Sequence, residues 1–157
     1  MKTALVTGTF DPITKGHMDV ITRTAGIFDH VIVAVMNNLK KGSLFPQDLR
    51  RQMAEVACRD LPNVTVVADA GMMVDFFDRS GADVIVRGIR NETDFTYESY
   101  MADYLREHNP RIDTLFLHAD PLLASVSSTE VRERLARGED VSDEVPAGIL
   151  PYFRNLH

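Results

Sequence analysis

The chain has 157 residues, 45% of them hydrophobic and 25% charged, with no low-complexity tract; this excludes a disordered or collagen-like protein and fits one domain around one core. A formal net charge of -6 disfavours a nucleic-acid surface, which needs clustered Lys and Arg, so any anionic ligand must be met locally. Cys58 is the single cysteine, and neither a signal peptide nor an eighteen-residue apolar run is visible, so the expectation is a cytoplasmic protein with no disulfide, no membrane partner and no nucleic-acid partner.

In chain order, Ala4-Leu5-Val6 reads as a buried strand that runs into Gly8-Thr9-Phe10-Asp11-Pro12. Gly16-His17 then stands at the expected start of a helix whose apolar face is Met18, Ile21, Ala25 and Phe28. Val31 to Val35 is a second strand, followed by the loop Asn37-Asn38-Leu39-Lys40-Lys41 and a helix carrying Leu49, Met53, Val56 and Ala57. Val64 to Val67 is a third strand, and Met73, Phe76 and Phe77 mark the helix after it. Val84-Ile85-Val86 is a fourth strand, leading through Arg87-Gly88-Ile89-Arg90 to a helix with Tyr97, Tyr100, Met101, Tyr104 and Leu105. Thr114 to Leu117 is a fifth strand. The tail predicts a helix from Ser127 through Val131 and Leu135 to Gly138, and a further one over Ile149 to Leu156.

Strands alternating with helices of this length predict a doubly wound α/β fold: a five-stranded parallel sheet, helices on both faces, and residues 1–157 as a single domain. Ligands of such sheets bind outside the carboxyl ends of the strands, where strand order reverses. The loops at those ends bring glycines, hydroxyls, Lys40 and Lys41, Arg87 and Arg90, and His17 to one edge of an acidic protein. Backbone N–H groups at a helix start favour phosphate oxygens, and glycine allows close approach, so the convergence reads as a phosphate site.

Taken singly, each part has a plainer explanation: turn glycines, a histidine satisfied by the backbone, a solvated lysine loop, and Ser127-Ser128-Thr129 as a helix cap before Glu130. Arg87 and Arg90 are harder to explain so, because each follows a buried strand. No Gly-x-x-x-x-Gly-Lys-[Ser/Thr] loop and no Gly-x-Gly-x-x-Gly after a strand is present, nor a zinc-ligand spacing or a nucleophile elbow.

Thr14-Lys15-Gly16-His17 resembles the (Thr/His)-x-Gly-His signature of the nucleotidyltransferase superfamily, and Ser127-Ser128-Thr129-Glu130-Val131-Arg132 resembles its C-terminal signature. Within that superfamily, GTFDPITKGH together with RGIRNETDFTYE is similar to the bacterial phosphopantetheine adenylyltransferase family, over Lys2 to about Arg137. The resemblance implies a Rossmann-like fold and transfer of AMP from ATP to 4'-phosphopantetheine, with Mg2+ and a homohexameric assembly. It implies that His17 stabilises the transition state and that Thr9 and Lys41, or Lys40 if the register is shifted by one, contact the reacting phosphates. Met73 and Arg87 would contact phosphopantetheine. Phe10, Gly88, Ile89, Arg90, Glu98, Leu123, Ala124, Ser125, Val126, Ser127, Ser128 and Thr129 would take ATP. Magnesium would bridge phosphate oxygens without a dedicated protein cage. Thr7 departs from a usual proline, and Leu123 from a usual aromatic residue. Two alternatives stay open: a nicotinamide or nicotinate mononucleotide adenylyltransferase, and a non-catalytic nucleotide-binding domain.

Overall fold

The computed structural model describes residues 1–38, 42–154 and 156. Five parallel strands, β1 (Thr3–Gly8), β2 (His30–Met36), β3 (Val64–Asp69), β4 (Val84–Ile89) and β5 (Thr114–His118), lie side by side in the order β3-β2-β1-β4-β5. The chain thus builds outward from β1 in one direction as far as β3, then returns to place β4 on the other flank of β1. Strand order reverses between β1 and β4. The crossovers are α1 (Lys15–Ile27), α2 (Gln47–Ala57), α3 (Met73–Ser80) and α4 (Glu92–His108), and α5 (Ser128–Ala136) follows β5.

Alternation along the central strands sorts the core into two layers, because successive strand side chains point to opposite faces. Ala4, Val6, Val31, Val33, Val35, Val84 and Val86 face one way, and there meet Ile21 of α1, Met53 and Ala54 of α2, and Val131 and Leu135 of α5. Leu5, Ile32, Ala34, Met36 and Ile85 face the other way, against Phe77 of α3 and Leu105 of α4. Ile21 is fully buried, so its truncation to Ala would cost on the order of 2–5 kcal/mol. Cys58 is buried filling, and burial pushes its thiol up to about 11.

One expectation needs adjustment. The segment expected as a helix over Ile149 to Leu156 is a 3-10 stretch, Ala147–Phe153; Pro151 inside it has no N–H to continue an α-helical ladder. Along α4, Tyr104 packs on the core whereas Tyr97 and Tyr100 are exposed. Among the described residues no helix is long and apolar enough to cross a membrane.

Candidate active site

At the reversal point the carboxyl ends of β1 and β4 open onto a cleft of about 380 Å³. Its walls come from the β1 turn, the first turns of α1, the end of β4, the first turns of α4 and the start of α5. Thr9, Phe10, His17, Arg87, Gly88, Arg90, Glu98, Leu123, Val126, Ser127, Ser128 and Thr129 all line it. Ile89, Ala124, Ser125 and Met73 are not among its lining residues. Ile89 ends β4, with its carbonyl accepting from Ala119 N–H. Met73 opens α3 and packs on the core layer, its sulfur 3.6 Å from Thr7 Oγ1. Lys41 and Lys40 lie outside the described residues.

His17 is the third residue of α1 and closes a capping box with Thr14. The Thr14 side chain accepts from His17 N–H, and His17 Nδ1 accepts from Thr14 N–H at 3.0 Å. The reciprocal partner in such a box is ordinarily Glu or Gln; here an imidazole takes that place. With Nδ1 accepting, the neutral ring carries its proton on Nε2, at the far side of the ring from the cap. Burial, then the charges of Arg87 and Arg90, lower its pKa from 6.5 to about 4. His17 is therefore a neutral hydrogen-bond donor near pH 7. Phe10 stacks edge-on against it, centroids 4.9 Å apart, and itself adopts a positive φ of 50°.

Arg87 leaves β4 and forms a fork with Glu98 of α4, Nε to Oε2 at 2.9 Å and Nη2 to Oε1 at 2.8 Å. Its Nη1 donates to the Thr7 carbonyl at 2.6 Å. Among the described residues three of its five N–H groups are thus engaged, leaving one on each terminal nitrogen. Arg90 pairs with Asp94 through Nε at 2.9 Å and makes longer contacts from Nη1 to the Ala124 and Val126 carbonyls, 3.4 and 3.3 Å. The two arginines therefore leave Gly88 toward different partners. Gly88 itself permits contact with α1, because a Cβ there would lie 2.7 Å from Val20 Cγ2.

The second signature does two things. Ser127 caps α5 by accepting from Glu130 N–H, and Ser128 Oγ donates to the Pro12 carbonyl at 2.8 Å, tying α5 to the β1 turn. Arg132 Nη1 donates to the Asp11 carbonyl at 2.7 Å. Asp11 in turn accepts the Leu44 and Phe45 N–H groups. The cleft also takes in Asp11, Asp19, Asp94 and Arg132, which sequence reasoning gave no role. Arg132, Asp11 and Asp94 stood in quoted stretches; Asp19 offered no signal beyond its nearness to His17.

The arrangement presents cationic forks, hydroxyls and a neutral imidazole donor to one concave surface, the equipment for holding polyphosphate while charge builds on it. The sequence matches the cytidylyltransferase-like family over residues 5–134. It is 44% identical over 146 residues to the phosphopantetheine adenylyltransferase of Finegoldia magna, covering 93% of this chain and 90% of that protein. Against the phosphopantetheine adenylyltransferase of Shouchella clausii it is 40% identical over 157 residues, covering 100% and 99%. A solved structure from Vibrio parahaemolyticus, provisionally assigned as a nicotinate-nucleotide adenylyltransferase, matches with a TM-score of 0.70 over 98% of this chain and 94% of that one. Its 19% identity makes it evidence for the fold alone.

Proposed function

The chain belongs to the phosphopantetheine adenylyltransferases, within the cytidylyltransferase-like family, and on that premise we propose that this cleft transfers the adenylyl group of ATP to 4'-phosphopantetheine. A phosphate oxygen of the acceptor attacks the α-phosphorus, the bond from that phosphorus to the bridging oxygen breaks, and pyrophosphate leaves as dephospho-coenzyme A forms. The attacking phosphate is already ionised, so no general base is needed. Catalysis rests on positioning two polyanions and on stabilising charge at the α-phosphate.

The observation that carries this reading is the convergence of a neutral His17 with Arg87 and Arg90 on the rim between β1 and β4. His17 Nε2–H donates to the α-phosphate oxygens as they gain charge. Arg87 and Arg90 face separate phosphates, the first that of the acceptor and the second those of ATP. Thr9 and Phe10 line the β1 side, and Ser127, Ser128 and Thr129 the α5 side. Lys41 would add a cation from beyond β2.

Mg2+ would ride on the phosphate oxygens and neutralise part of their charge. Among the described residues no group of three His, Cys, Asp or Glu side chains is placed to hold a metal ion, and Glu98 and Asp94 pair with Arg87 and Arg90. Assembly as a homohexamer in the cytoplasm completes the proposal; α4 leaves Phe95, Tyr97 and Tyr100 exposed, apolar area that a second copy would cover.

The test is direct. The purified protein is mixed with ATP and magnesium together with either 4'-phosphopantetheine or nicotinamide mononucleotide, and pyrophosphate is measured. Release with 4'-phosphopantetheine alone is expected. Release with the mononucleotide alone would move the chain to the other substrate, and ATP binding without release under either condition would make it a binding domain.

A further inference from the structure

Arg50 is the largest fully buried side chain among the described residues, 1% exposed, and it sits on α2 between residues read from the sequence only as a helix face. A buried guanidinium without a fork partner is costly unless its donors are satisfied. All three of its nitrogens are. Nε donates to the Phe45 carbonyl at 2.9 Å, Nη1 to the carbonyls of Thr9 at 2.7 Å and Met36 at 3.0 Å, and Nη2 to Asn37 Oδ1 at 2.6 Å. One side chain thus ties the β1 turn, the end of β2 and the entry to α2. Asp11 supplies the nearby negative charge and holds the peptide before the one Arg50 holds, Oδ1 accepting Phe45 N–H at 2.9 Å.

The bond to Thr9 has a directional consequence. Among the described residues the only cis peptide is Asp11-Pro12, so the Thr9–Phe10 peptide is trans and its N–H lies opposite its carbonyl. With the carbonyl drawn to Arg50, the Phe10 N–H points the opposite way; it has no acceptor among the described residues, and Phe10, only 3% exposed, lines the cleft. Arg132 holds the next carbonyl but one, that of Asp11. The turn is therefore clamped on both sides of Phe10, the residue with φ of 50°.

We propose that Arg50 is a positioning residue for the reaction, orienting the Thr9–Phe10 peptide so that the Phe10 N–H donates to a phosphate oxygen of ATP. The inference rests on the reading of the cleft as the ATP site. Lysine in its place keeps the charge but reaches fewer of the four acceptors.

The test uses amide NMR and kinetics on the full-length protein. Titrating wild type with ATP shifts the Phe10 amide proton downfield. Arg50→Lys removes most of that shift, weakens ATP binding and lowers kcat, each about tenfold or more, with the 4'-phosphopantetheine KM near wild type. A merely structural role would lower the urea midpoint and leave the Phe10 shift and kcat of the folded fraction unchanged. An Arg50→Lys protein with wild-type kcat and Phe10 shift overturns the proposal, and so does a silent Phe10 amide in wild type that binds ATP, whether or not the variant folds. Wild type that fails to bind ATP overturns the underlying reading and the proposal with it.

Discussion

Thr14 and His17 hold each other across the first turn of α1, the Thr14 N–H donating to His17 Nδ1 while the Thr14 side chain accepts the His17 N–H. The cap and the chemistry use opposite edges of one ring. His17→Ala therefore loses both the Nε2 donor and half of a capping box. Loss of a transition-state donor lowers turnover by roughly a hundredfold to a thousandfold, whereas the cap is worth about 1 kcal/mol. The variant remains folded, binds ATP, and loses kcat more than it gains KM. Steady-state kinetics and calorimetric ATP binding check this; wild-type turnover in the folded variant would remove His17 from the mechanism.

The same ring makes stability depend on pH. Its pKa falls from an ordinary 6.5 to about 4 on folding, so between those values the unfolded chain takes up a proton that the folded chain refuses. Stability from this group is present above pH 6.5 and declines as pH falls toward 4. Urea midpoints of wild type and His17→Gln, compared from pH 7 to 4.5, isolate it: the wild type loses more over that window. Equal losses in the two proteins would refute the neutral, half-buried imidazole.

Gly88 brings β4 close against α1, with room for no Cβ against Val20. Gly88→Ala forces β4 and α1 apart or drives Val20 off its rotamer, at a cost of about 1–3 kcal/mol. Because α1 also carries His17, turnover falls with stability. Adding Val20→Ala removes the clash and recovers most of both. A double variant no better than Gly88→Ala would place the role of Gly88 elsewhere.

How far the sequence reached follows from which forces leave a local trace. The β-branched runs and helical spacings of the core named all five strands and the helices α1 to α5, because burial imposes a period on the chain. Gly16-His17 and Arg87-Gly88-Ile89-Arg90 were legible as a site because charge and glycine at strand ends are unusual there. The 3-10 tail was misread since Ile149 and Phe153 keep a helical spacing across Pro151. Arg50 was invisible: on a helix with Arg51 beside it, nothing local distinguishes a solvated arginine from one whose acceptors come from Thr9 and Met36, far away in the chain. Likewise Glu98, expected at ATP, is the fork partner of Arg87, a pairing set by how α4 crosses β4.

That pairing bears on the last prediction. Arg87 and Arg90 flank Gly88 and leave it in different directions, Arg87 toward Glu98 and the Thr7 carbonyl, Arg90 toward Asp94 and the Ala124 and Val126 carbonyls. Glu98 is well covered, 11% exposed at its side chain, so it holds the Arg87 guanidinium in one orientation with two N–H groups still open. Arg90 has longer, weaker contacts from Nη1 and gives them up at less cost when ATP arrives. Each phosphate contact is charge-assisted, worth about 1.5–3 kcal/mol, or roughly tenfold to a hundredfold in apparent affinity. Arg87→Ala accordingly raises the 4'-phosphopantetheine KM by that factor and leaves ATP nearly unaffected, while Arg90→Ala does the reverse. Arg87→Lys does not restore the acceptor KM, because an ammonium cannot reproduce the fork on Glu98; Arg90→Lys recovers more of its loss, since Asp94 and two distant carbonyls demand less geometry. Steady-state kinetics with each substrate varied in turn decide it. If both alanine variants raise the same KM, or Arg87→Lys behaves as wild type, the two arginines do not divide the substrates between them.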